Sequence, residues 1–234
     1  MKKILTTLCS LLLTVGSAMN AKTLVVYYSY TNSCHDIVQT LTSQIEADVM
    51  RIEPADKTQK YEANGYAIGT QLLNAIKAAP GDAASYPPID PVAIADLTPY
   101  QTIIIVTPLW WSQMAAIMQT YLFHHGGEMA GKNVGLIMSS ASSGISGVVS
   151  DCKRLVPSAS YFSENLWINN SNRSSRSTLI QHWLTAIDYH VVTAIKRPAT
   201  KATNTLSYYS SSGQRLSQAP KRGIFIVNGK KRIR

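Results

Sequence analysis

The sequence predicts an α/β fold: a doubly wound, five-stranded parallel sheet with a small β-rich C-terminal tail. Three observations predict it. The strand-like runs are apolar throughout rather than alternating, as strands are when both faces of their sheet are covered. Each is followed by a stretch whose apolar residues recur at helical spacing. The end of the chain, in contrast, is basic and Ser/Thr-rich, with the Ser-Gly and Asn-Gly pairs of tight turns.

The elements follow in chain order. MKK, the apolar run ILTTLCSLLLTV and the small residues GSAMNA have the form of a secretory signal peptide over residues 1–21, with cleavage fitting after Ala18 or Ala21. The run is too short to span a bilayer. TLVVYYS (23–29) reads as a buried strand, and Ile37, Val38, Leu41 and Ile45 place a helix over Asp36–Ile45. ADVMRIE (47–53) is a second, shorter strand. A stretch rich in Gly, Ala and Tyr leads to a helix over Tyr66–Ala79, which the prolines and glycine of AAPGDAASYPPIDP end. TIIIVTP (102–108) is the third strand, Met114–Phe123 a helix, VGLIMSS (134–140) the fourth strand and Ser146–Leu155 another helix. ENLWIN (164–169) is the last strand of the sheet. Ser174–Ile195 reads as a final amphipathic helix with Leu179, Ile180, Trp183, Leu184, Ile187 and Val191 on one side. The main domain therefore covers 22–195. KRPATKATNT makes 196–205 a linker, and LSYYSSSGQRL and GIFIVNGKKRI make 206–234 a short β-hairpin tail.

The net charge of +9 in 234 residues raises the question of nucleic acid, and its distribution argues against it. Residues 196–234 hold ten Lys/Arg and no acid, whereas residues 22–195 hold ten Lys/Arg against thirteen Asp/Glu. The basic residues of the tail lie among Ser, Thr and Gly rather than among aromatic stacking platforms. No nucleic-acid partner and no membrane span are expected. Processing leaves Cys34 and Cys152, which the predicted sheet puts on helices at opposite faces, so no disulfide joins them. The adjacent His124 and His125 point about 100° apart on a helix and do not chelate together.

In doubly wound domains ligands bind beyond the carboxyl ends of the strands. After strand one comes SYTNSC, after strand three TPLWWSQM, and after strand four SSASSGISG. The first and last present hydroxyls and backbone N–H groups, and the middle one presents adjacent tryptophans. A ligand with a phosphate and a flat ring suits both, the phosphate lying at the amino end of the first helix without any cationic side chain. Turn-forming and helix-capping roles also account for SYTNSC, and ordinary packing also accounts for Trp110 and Trp111.

TLVVYYSYTNSCHDIVQTL, YQTIIIVTPLWWSQMAAIMQTYL and SSASSGISGVVSDCKRLVPSA resemble the flavin-contacting segments of the flavodoxin family, in its branch with a long insert after strand two. The resemblance covers about residues 22–195. It implies strand order 2-1-3-4-5, non-covalent FMN, and passage of electrons to an unknown redox partner or small acceptor. It assigns the cofactor to Ser29, Tyr30, Thr31, Asn32, Ser33 and Cys34; to Thr107, Pro108, Leu109, Trp110 and Trp111; and to Ser139, Ser140, Ala141, Ser142, Ser143 and Gly144. No residue is assigned a catalytic or metal-binding role.

Two positions depart from the family's phosphate loop, Ser/Thr-x-Thr-Gly-Asn-Thr. Asn32 stands where the glycine would be, and Asn tolerates left-handed backbone. Cys34 stands where the last threonine would be, and a hydroxyl's hydrogen bond to a charged group is worth about 1.5–3 kcal/mol. A weaker FMN site is expected. Cys34 also has a rival role as a redox thiol, since a helix amino end stabilises a thiolate, although a bound phosphate opposes its ionisation. The tail resembles the C-terminal type IX secretion sorting signals of some exported bacterial proteins. The sequence thus predicts an exported FMN protein, periplasmic or secreted to the cell surface, acting in electron transfer or flavin-dependent reduction. The alternative is an exported domain of the same fold that has lost its cofactor and acts as a binding module.

Overall fold

The computed structural model describes residues 22–189 and, beyond them, Tyr208–Ser210, Arg215–Leu216, Arg222, Ile224–Val227 and Lys230–Ile233. The order is β1 (Lys22–Tyr27), α1 (Ser33–Thr42), β2 (Asp48–Arg51), α2 (Ala67–Ala78), β3 (Tyr100–Trp110) and β4 (Gln113–Met114). It continues with α3 (Ala116–His125), β5 (Asn133–Ser139), α4 (Ser146–Leu155), β6 (Ser160–Tyr161), β7 (Leu166–Ile168) and α5 (Arg176–Ala186). The parallel sheet runs β2-β1-β3-β5, with β6 and β7 both on the outer edge of β5. This is the expected order, the fifth strand being split between two positions: Tyr161 pairs with Val134, and Leu166 with Ile137.

Successive strand residues point to opposite faces, and each face buries its own layer. On one, Val25, Ile104 and Ile137 meet Ile37, Val38 and Leu41 of α1 and Ile180 and Trp183 of α5. On the other, Leu24, Val26, Ile103 and Ile105 meet Met118 and Tyr121 of α3 and Val148 and Cys152 of α4. That is why the strands read as unbroken apolar runs. α3 is buried all round from Ala116 to Leu122, because it lies between α2 and α4 as well as on the sheet. Cys34 and Cys152 are buried, unbridged and on opposite layers.

Three boundaries differ from expectation. Met114, expected to open a helix, pairs instead with Leu109 in the β3–β4 hairpin, and α3 starts at Ala116. α1 begins at Ser33 rather than Asp36 and ends at Thr42. α5 ends at Ala186 because Asp188 adopts left-handed backbone (φ 51). Asp188 N–H donates to Thr185 O at 3.1 Å and Tyr189 N–H to Leu184 O at 2.9 Å, the hydrogen-bond pattern of a Schellman stop. The rest of the helix expected to Ile195 lies outside the described residues, as do the leader 1–21 and the linker 196–205.

The chain divides into two units, Met1–Val191 and Val192–Arg234. In the second, β8 (Tyr208–Ser210), β9 (Arg215–Leu216), β10 (Ile224–Val227) and β11 (Lys230–Ile233) form an antiparallel sheet of order β11-β10-β8-β9. Val227 pairs with Lys230. Among the described residues no helix is long and apolar enough to cross a membrane.

Candidate functional site

The segment between β1 and α1 is held by backbone. Ser29 is buried; its hydroxyl accepts from His35 N–H at 3.3 Å, and its carbonyl accepts from Arg51 Nη2 at 3.1 Å. Asn32 takes the left-handed conformation (φ 63, ψ −4) that its place before α1 requires, and its carbonyl accepts from Asp36 N–H at 2.9 Å. Its side chain makes no capping bond, so the Ser33 and Cys34 amides at the start of α1 keep their donor capacity. The exposed hydroxyls of Thr31 and Ser33 lie 3.2 Å apart. Beneath them Cys34 is 1% exposed. Burial pushes its thiol far above the ordinary range, against the smaller opposing effect of a hydrogen bond with Ser139.

The aromatic wall is built by a strained hairpin. Leu109 pairs with Met114 and Trp110 with Gln113, leaving Trp111 and Ser112 as a two-residue turn with φ 52 and φ 62. Positive φ at both central residues makes this a type I′ turn, formed here without glycine. Gly147 at the start of α4 admits the turn: a Cβ there would lie 2.2 Å from Ser112 O. Asp151 Oδ2 accepts from Met114 N–H at 3.0 Å and fixes the hairpin to α4. Trp110 is half-buried against Tyr28 and Tyr61, with ring centroids 6.0 and 4.9 Å away. Trp111 is 59% exposed and meets the equally exposed Tyr66 edge to face at 6.4 Å. Tyr30 packs edge-on to Tyr61 at 5.2 Å, and its hydroxyl donates to Glu62.

The third loop is tied to the segment after β7. Ser140 Oγ accepts from Trp167 Nε1 at 2.8 Å and donates to Ser143 O at 3.0 Å. Asn170 N–H donates to Ala141 O at 3.2 Å. Asn172 Oδ1 accepts from Asn169 N–H at 2.8 Å, and its Nδ2 donates to Trp167 O at 3.1 Å. These bonds bring the start of α5 to the same opening as the loops after β1, β3 and β5.

The loops enclose one cavity of about 530 Å³. Of the residues expected from sequence, Ser29, Tyr30, Thr31, Ser33, Cys34, Pro108, Leu109, Trp110, Trp111, Ser139, Ser140, Ala141 and Ser143 line it. Asn32, Thr107, Ser142 and Gly144 do not. Asn32 shapes the loop through its backbone, and Thr107 is wholly buried beneath the wall, bonded to Pro108 O.

Residues 22–187 match the family model described as flavodoxin. The chain belongs to the flavodoxin family. A candidate flavoprotein of Bacteroides eggerthii is 23% identical with a TM-score of 0.58, covering 73% of this chain and 100% of its own. A flavoprotein of Lactobacillus acidophilus, solved in complex with FMN, is 20% identical with a TM-score of 0.53, covering 67% of this chain and 99% of its own. A candidate flavoprotein of Bacteroides uniformis is 24% identical with a TM-score of 0.56, covering 69% of this chain and 98% of its own. These share the flavodoxin fold. No curated protein matches the chain in sequence.

Sequence reasoning missed a large part of this flavodoxin cavity. Tyr61, Tyr66 and Gly69 reach it from the insert after β2 and from α2, and Asn169, Asn170, Arg173 and Arg176 from the segment after β7; Asp36 and Ile37 extend the α1 wall. The loops after the first, third and fourth predicted strands form only part of the opening beyond the strand ends. The trailing segments of β2 and β7 were the signal for the rest.

Proposed function

We propose that the protein holds FMN non-covalently in this cavity and serves in electron transfer or flavin-dependent reduction with a redox partner or small acceptor. We also propose that it acts outside the cytoplasm, the leader 1–21 and the type IX-like tail being export features. One observation carries the FMN reading: a single cavity joins a wall of hydroxyls and helix-end amides to a wall of exposed aromatic rings. That donor set suits a molecule with a phosphate at one end and a planar ring at the other, and the volume is in the range of cofactor pockets. FMN supplies the redox chemistry when bound. The chain's residues bind and orient: Thr31, Ser33 and the first amides of α1 hold the phosphate, while Trp110, Trp111 and Tyr66 flank the ring. Burial keeps Cys34 a protonated thiol beneath the site, which disfavours a redox role for it.

Titration of FMN with the protein is expected to quench flavin fluorescence saturably, since a stacked indole or phenol de-excites the ring. The affinity should lie below that of family members with a full phosphate loop. An absence of saturable quenching at sub-millimolar FMN would overturn this reading in favour of a cofactor-free interaction module.

A further inference from the structure

The loop after β1 contains no Lys or Arg, yet two guanidinium groups line the cavity from the segment after β7. The backbone N–H of Arg173 donates to Asn169 O at 2.9 Å, while its side chain has no hydrogen bond or ion pair with another described residue. Arg176 is half-buried, and its Nε donates to Thr40 Oγ1 at 3.0 Å, while that hydroxyl donates to Asp36 O at 2.9 Å. This chain of bonds fastens Arg176 to α1 through one nitrogen and leaves its two terminal nitrogens without a partner among the described residues. Asn169, Asn170 and Asn172 hold the segment that carries both arginines, so their position is built rather than incidental.

The topology says which end of the cavity they serve. α1 and α5 cover one face of the sheet and share one apolar cluster, whereas Trp110 and Tyr61 pack on the cluster of the other face. The guanidinium groups therefore lie on the side of the hydroxyl loop. A phosphate monoester carries close to two negative charges at neutral pH, and arginine is suited to hold it through paired N–H donors. Among the described residues Asp36 is the one acidic side chain on the cavity wall, so the balance of formal charge there is positive. We infer that Arg173 and Arg176 complete the phosphate subsite from the α5 side, supplying the charge that the loop after β1 lacks and offsetting the hydroxyl missing at Cys34. This rests on the FMN reading above.

The test compares FMN with riboflavin, which lacks the phosphate, in full-length Arg173→Gln, Arg176→Gln and the double variant, with thermal melts to check folding. Each single change is expected to lower FMN affinity about tenfold, as the loss of one charge-assisted hydrogen bond does, and the double change further. Riboflavin affinity should hardly move. Inorganic phosphate should compete with FMN in the wild type and less in the double variant, and Arg176→Lys should retain more FMN affinity than Arg176→Gln. Unchanged FMN affinity in the double variant would overturn the inference and leave the arginines free to serve a second anionic substrate. Equal losses for riboflavin and FMN would overturn it too, as the arginines would then only brace the loop. Both outcomes leave the FMN reading standing, whereas a wild-type protein that binds neither flavin would remove the reading itself.

Discussion

Cys34 sits where two effects oppose each other. A helix amino end favours a thiolate, and burial disfavours it. At 1% exposure burial wins, and the thiol stays protonated well above the ordinary thiol range. Iodoacetamide at pH 8 is therefore expected to label Cys34 at least tenfold more slowly in the folded protein than in urea, roughly the ratio that one unit of raised pKa gives. Fast labelling of the folded protein, located by mass spectrometry, would revive the redox-thiol reading. The same sign governs stability. Burial pushes the Cys152 thiol up to about 12, and burial with the nearby Asp56 and Tyr30 pushes the Tyr61 phenol up to about 12. Both folded-state values lie above the unfolded ones, so the stability they confer is complete below about pH 9 and is lost as pH rises toward 12. The urea midpoint should fall steadily between those values, and a midpoint flat to pH 11 would contradict the burial of these groups.

At the scale of elements, the β3–β4 hairpin shows how the site was both legible and hidden. PLWW marked a cofactor loop, but its turn is Trp111-Ser112, with none of the Asn-Gly signal of a type I′ turn. Met114, the second residue of β4, therefore read as the start of α3. The split of the last strand was equally unreadable, since Ser160–Tyr161 is too short to carry a period. The turn makes two opposite predictions. Ser112→Gly relieves left-handed backbone and should stabilise the protein by about 1 kcal/mol, or about 2–4 °C in melting temperature. Gly147→Ala drives a methyl into Ser112 O and should destabilise by about 1–3 kcal/mol. It should also weaken FMN quenching by displacing Trp111. A Gly147→Ala protein with unchanged denaturant midpoint would show that α4 and the hairpin yield without cost.

At the scale of the molecule, the fold was legible because each strand is buried on both faces and each helix presents a stripe to one of them. The site was legible only in part because its walls come from five separate segments, and just three announce themselves by composition. Nothing in the local sequence marks Arg173 and Arg176, whose place at the cavity depends on α5 lying beside α1. The same two-faced burial predicts that the domain does not depend on the tail. Each face of the sheet is already covered by helices from within residues 22–189: α1 and α5 on one side, and α3 and α4 on the other. Among the described residues, no cavity-lining residue lies beyond Arg176. A chain ending at Ile195 should therefore fold with an unchanged melting temperature and bind FMN as the longer chain does. Its charge should reverse, because residues 196–234 carry ten Lys/Arg and no acid while residues 22–195 carry ten against thirteen acids. Isoelectric focusing should find the signal-free form acidic where the parent is basic, and export or surface attachment in the native host should fail. A truncated protein that is unfolded, or folded but unable to bind FMN, would show that the tail completes the domain.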